Sequence, residues 1–141
     1  MYYELNMKIN KWFNSQNSLS ALRISLGLVF FWFGALKVAG YNPVYDIVNA
    51  SFPMFATDTG NIILGAIEAL IGLGLLVNRY AKITHISLVL HLLGTFYVFI
   101  SAPYLMFDPH FPVLTLAGEF VFKNAVLATA GIVLLNQRKY D

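Results

Sequence analysis

The chain has no cysteine, which excludes disulfides, thiolate catalysis, thiolate-held clusters and thioether-linked haem together. Charge is also scarce. Only 11% of the 141 residues are charged, against roughly 25% in a soluble domain, while 58% are hydrophobic. That balance cannot supply a water-facing surface. The formal charge of +2 is spread over segment ends rather than massed, which excludes a nucleic-acid partner. There is no phosphate-binding loop, nucleophile elbow or zinc-protease motif, and no internal repeat or low-complexity tract. The N-terminal stretch does not read as a secretory signal, because its first apolar run starts late and continues to spanning length without a cleavage-type site.

What the chain does have is four apolar stretches, at about 19–39, 59–77, 83–102 and 114–135. Each is close to the roughly 20 residues that cross a hydrocarbon core. The expectation is a single membrane domain over 1–141, an all-α integral membrane four-helix bundle in a lipid bilayer. Lys8, Lys11, Arg79, Lys82, Arg138 and Lys139 flank one side of the crossings, while Asp46, Asp58 and Asp108 lie in the opposite loops. By the positive-inside bias, both termini face the cytoplasm, N-in and C-in. Ahead of the first crossing, Tyr2, Leu5, Ile9 and Trp12 recur at helical spacing, as in an interfacial segment over 2–14, although Tyr3, Leu5, Met7 and Ile9 fit a strand almost as well. Ser18 is the expected N-cap of the first crossing. Asn42 and Pro43 are expected to open a short outer helix at about 43–55. Pro103 is expected to stop the third crossing, and the segment YLMFDPHFP to lie at the outer interface.

Each crossing carries one small-and-polar stripe. Ser20, Arg23, Gly27, Phe30, Gly34 and Lys37 share a face of the first, as do Asn61, Gly65, Glu68 and Gly72 of the second. The third offers Thr84, Ser87, His91, Thr95 and Ser101, and the fourth Glu119, Lys123 and Ala130 with Gly118 and Asn124 alongside. Stripes of this kind escape lipid only by facing one another, and small residues let the backbones approach. An ionisable group at the centre of a spanning helix costs on the order of 3 kcal/mol or more, so each needs a reason. Lys37, Glu68, His91, Glu119, Lys123 and Asn124 therefore form the candidate ligand-binding or polar core, in which two carboxylates and two ammoniums compensate one another. Arg23, near the cytoplasmic boundary, is expected to snorkel.

Bland readings stand beside this one. The charges can simply fix helix register, and Glu119 and Lys123, spaced i, i+4, can pair along their own helix. Glu68 has no basic residue within a turn and needs a partner from another helix, a proton or a ligand. A metal held by His91, Glu68 and Glu119 lacks any motif, so no metal is expected. His85, beside Lys82, is expected to be solvated, and His110 to be a loop residue. The FFWF run at Phe30 to Phe33 either lines an aromatic pocket for a quinone ring or packs as bulk core.

The segment RISLGLVFFWFGALK from Arg23 to Lys37 resembles the opening helix of the DoxX-like membrane proteins. The similarity continues in NASFPMF, in IEALIGLGLLV around Glu68 and in FPVLTLAGEFVFKNAVL from Phe111 to Leu127, in the order expected, and covers most of the chain. It is nearest the YkgB-type branch, small bacterial inner-membrane proteins of which one is linked to reactive-chlorine resistance. The resemblance implies alike positions at Arg23, Gly34, Lys37, Glu68 and Lys123. The chain departs from that branch in the fourth helix, where Glu119 and Asn124 replace an expected basic residue and an aspartate, which argues against carrying over an anion-binding role. The outer loop between the first two crossings is also short for the branch.

The resemblance implies association with thiosulfate and quinone oxidoreduction, with membrane oxidoreductase complexes or, in animal relatives, with receptor assembly. Such a spread ties the family to a scaffold more than to one reaction. The leading expectation is an accessory subunit, not catalytic alone, that binds a quinone-like ligand or a membrane partner through the polar core, in redox or oxidative-stress response. Alternatives are a structural or assembly protein, including a homo-oligomer, and a proton-coupled transporter. The last is disfavoured by spans expected to be unbroken.

Overall fold

The computed structural model describes Met1, Glu4, Met7 and residues 14–137. Four helical spans organise it, each long and apolar enough to cross a bilayer: Ser15–Val38, Asp58–Val77, Ala81–Ser101 and Leu116–Gln137. The first is α1 (Ser15–Val38). It is followed by α2 (Tyr45–Ser51), a 3-10 turn at Pro53–Phe55, and the second span, α3 (Asp58–Val77). The third span comprises α4 (Ala81–Thr95) and α5 (Val98–Ser101), after which α6 (Pro103–Met106) begins the connection to α7 (Leu116–Phe122) and α8 (Asn124–Gln137) of the fourth. Among the described residues there is no strand, only an isolated bridge between Phe107 and Leu114. The fold is the all-α membrane four-helix bundle. The expected interfacial segment at 2–14 falls almost wholly outside the described residues, as do Lys8, Lys11, Arg138 and Lys139.

Local chemistry sets the ends of these helices. Asn14 accepts a hydrogen bond from the Asn17 N–H at 2.8 Å, so α1 starts before Ser18, which lies inside the helix. Thr57 and Thr115 cap α3 and α7 in the same manner, accepting from Gly60 and Gly118. Asn78 ends α3 in the left-handed region at φ 58°. Ala102, preceding Pro103, leaves the helical region and ends the third span there. The outer helix is shorter than expected and uses Asn42 differently: the Asn42 side chain accepts from the Val44 N–H at 3.1 Å and crosslinks to Asn61.

Glycine clamps α1 to α3. A Cβ on Gly34 would lie 2.3 Å from the Ala69 nitrogen and 2.5 Å from the Gly65 oxygen, and one on Gly72 would lie 2.3 Å from the Phe31 nitrogen. Those neighbours are backbone atoms, which no rotamer change can move. The fourth span packs on α4, α3 on α4, and α1 touches the fourth span only sparingly. Arg23 does not snorkel away. Its Nη1 donates to the carbonyls of Leu75 and Leu76, the second at 3.1 Å, at the C-terminal end of α3 where carbonyls lack intrahelical partners and favour a cation.

The spans are not all continuous, contrary to expectation. After Thr95, the N–H groups of Phe96, Tyr97, Phe99 and Ile100 bond to carbonyls three residues back, which is 3-10 geometry. In the fourth span the helix is interrupted at Lys123, where the Val126 N–H reaches the Lys123 carbonyl. The interruptions face each other: Asn124 Nδ2 donates to Thr95 Oγ1 at 2.9 Å, and Thr95 Oγ1 donates to the Leu92 carbonyl at 2.6 Å. They separate two apolar cores. One, toward Ser15 and Gln137, contains Leu26, Phe30, Ile71, Leu75, Leu88, Leu92, Ala128 and Leu134. The other joins Val98, Ala102, Met106 and Val121 with Ile47 and Ala50 of α2.

Candidate functional site

A cavity of about 920 Å³ is lined by residues of all four spans and of α2. Val29, Phe30 and Phe33 of α1, Leu64 and Glu68 of α3, His91 and Thr95 of α4, Phe120, Lys123, Asn124 and Leu127 of the fourth span, and Ile47 and Val48 of α2 all face it. The FFWF run is split by the helical turn: Phe30 and Phe33 line the cavity and Phe31 and Trp32 do not, and of the four only Phe30 is buried. The Phe33 ring meets the Phe120 ring at 6.4 Å, an aromatic contact between the first and fourth spans.

Three ionisable groups stand in a row on the wall. Lys37 Nζ donates to Glu68 Oε2 at 2.5 Å, and Glu68 Oε1 lies 3.0 Å from His91 Nε2. Lys37 and Glu68 are 5% and 7% exposed. Lys37 lies at the last turn of α1, but helical side chains lean toward the helix N-terminus, which carries its ammonium back toward mid-depth. Glu68 lies ten residues into α3, roughly 15 Å from its start at 1.5 Å per residue. The Phe30 ring stands edge-on to His91 with centroids 5.6 Å apart. Asn61 holds the end of α1 in place: its Nδ2 donates to the Lys37 carbonyl at 2.9 Å, and its Oδ1 accepts from Asn42 at 2.8 Å. Asn61 is a positioning residue whose only sequence signal is its place on the Glu68 stripe.

The remaining candidates are distributed differently from the expected cluster. Asn124 is buried and bonded to Thr95. Lys123 faces the cavity but is exposed, and it joins no ion pair among the described residues. Glu119 is exposed and does not line the cavity; it occupies the first turn of α7, where unpaired N–H groups favour a carboxylate. The expected compensation of two carboxylates by two ammoniums is therefore realised only at Lys37 and Glu68, and the i, i+4 pair of Glu119 with Lys123 is not made. His85 is also corrected: at 2% exposure it is buried, not solvated. His110 is exposed, its Nδ1 2.9 Å from the Phe111 carbonyl. Among the described residues no three His, Asp or Glu side chains converge as a metal site would require.

Four apolar spans, the first two clamped backbone to backbone and crossed by a buried Lys–Glu pair, define a multi-pass helical membrane protein. Residues 18–101, more than half of the chain, match the DoxX family, and the chain belongs to that family. The match includes Arg23, Gly34, Lys37, Glu68 and His91 and stops before the fourth span, so Lys123 and Asn124 lie beyond it. No curated protein and no solved structure matches the chain.

Proposed function

We propose that the protein is an accessory membrane subunit whose chamber holds a lipid-soluble ligand with a hydrogen-bonding head, a quinone being the class that fits. One observation carries this reading: an apolar cavity of about 920 Å³ with Lys37, Glu68 and His91 on its wall. Ligand sites of about 300–1,000 Å³ typically pair apolar walls with a few convergent polar groups. An ammonium has three donor hydrogens, so Lys37 keeps two beyond the one given to Glu68 and can orient a carbonyl. Glu68 and His91 can hold or exchange a proton between Oε1 and Nε2. A quinone, when bound, supplies reversible electron and proton chemistry. Phe30, Phe33 and Phe120 add aromatic surface to the lining, against which a quinone ring can pack. Native mass spectrometry of the protein extracted with its lipids is expected to show a bound quinone, reduced in Glu68→Gln. Recovery of quinone no greater than from empty nanodiscs would sink the reading.

We assign the chain, within its family, to the YkgB-type branch in the bacterial cytoplasmic membrane, acting in oxidative-stress response. Both termini face the cytoplasm in this assignment, which the distribution of Lys and Arg supports. Because the chain lacks cysteine, single introduced thiols report sidedness cleanly. Tyr104→Cys is expected to react with a membrane-impermeant maleimide on spheroplasts and Asn136→Cys only after lysis. The reverse pattern refutes the orientation. A second reading, a structural or assembly protein, draws on the mutual satisfaction of Lys37 and Glu68, which a register-setting pair would also show.

A further inference from the structure

The charges that face the chamber do not cancel. Lys37 is neutralised by Glu68 at 2.5 Å, and both Glu68 oxygens are engaged, one by Lys37 and one by His91. That leaves the Lys123 ammonium, which lines the cavity and makes neither a hydrogen bond nor an ion pair with any described residue. Glu119, the acidic residue one turn away, does not line the cavity and lies beyond ion-pair distance, so the acidic substitution that argued from sequence against an anion site falls outside the chamber. The next residue, Asn124, is neutral, and its Nδ2 is committed to Thr95. Lys123 is therefore the one lysine of the lining without a carboxylate partner among the described residues, and it stands exposed beside a largely apolar wall. Attraction between opposite charges at such a site lies between its value in bulk water and its value in the protein interior.

We infer that the chamber selects a ligand whose head carries one anionic oxygen on a long apolar body, with Lys123 as its counter-ion. This rests on the reading of the chamber as a ligand site and adds the charge of the bound species. The anionic oxygen can belong to a long-chain carboxylate or to an ionised hydroxyl on a quinone ring. Lys123 supplies the charge, while the apolar wall, including Val29, Phe33, Ile47 and Phe120, holds the body.

Two matched probe pairs test this in nanodiscs of neutral phosphatidylcholine: oleate against oleyl alcohol, and an alkyl 2-hydroxy-1,4-naphthoquinone, ionised at neutral pH, against its methyl ether. The readout is the affinity ratio, charged over neutral, for the wild type divided by that for Lys123→Met. Membrane partitioning cancels in this quotient. The expected quotient is about tenfold or more for at least one pair, consistent with a charge interaction between bulk water and the protein interior. Lys123→Arg is expected to keep the wild-type ratio. The pair that discriminates identifies the body as chain or ring. A quotient near one for both pairs overturns the inference, and if the neutral probes still bind saturably the chamber reading survives it. If no probe binds, both fall. Because Lys123 is exposed, its substitution leaves the buried packing intact.

Discussion

Gly34→Ala is expected to cost about 3 kcal/mol or more, toward the upper end of what overpacking produces. The added methyl would meet the Ala69 nitrogen at 2.3 Å and the Gly65 oxygen at 2.5 Å, so the two helices must part to admit it. Parting them separates Lys37 from Glu68, and the site is lost with the packing. Gly94→Ala is the matched control. Nothing lies within 4 Å of the Cβ it would add, and alanine favours helix over glycine by about 1 kcal/mol. Thermal unfolding in detergent should show Gly34→Ala strongly destabilised and Gly94→Ala neutral or improved. Equal behaviour of the two would refute the backbone clamp.

The buried pair yields the second large effect. Glu68→Leu leaves the Lys37 ammonium and His91 without their shared carboxylate, and Lys37→Met leaves the Glu68 carboxylate without its ammonium. Each single change is expected to cost about 3–5 kcal/mol, the usual penalty for stranding one member of a buried ion pair. The double variant Lys37→Met, Glu68→Leu should recover most of that loss, because apolar replacement of a whole buried pair is often neutral or stabilising. Stability and quinone retention are read on the same four proteins. Recovery of stability without retention supports a ligand role for the pair; recovery of both leaves it a register device. Additive losses in the double variant would show that Lys37 and Glu68 do not act on each other at all.

Much of the bundle was legible because a spanning helix can hide small and polar residues only on one face. Gly34, Lys37, Gly65, Glu68 and Gly72 recur at three- and four-residue steps, which places them on facing stripes before any coordinates are known. Glu68 lacked a partner in its own helix, and the structure supplies Lys37 from the neighbouring one. Other features left no such trace. The interruptions after Thr95 and at Lys123 contain no proline, so nothing in the local sequence opposes a continuous helix strongly. Glu119 and Lys123 share a stripe by spacing, but the chamber takes Lys123 and leaves Glu119 outside. Depth alone puts Arg23 at the interface, whereas the terminal carbonyls of α3, an acceptor common to every helix end, hold it. The burial of His85 depends on tertiary packing around the first turn of α4, which a position beside Lys82 does not disclose.

The core of Leu26, Ile71, Leu75, Leu88 and Leu134 lies beyond the chamber on the side of Ser15 and Gln137. The cavity's lining runs from Glu68 and His91 to Pro43, Val48 and Phe52 of the outer segment and includes none of those five side chains. A solute crossing the bilayer through the bundle must therefore part that packed apolar layer, so passage requires a conformation other than this one.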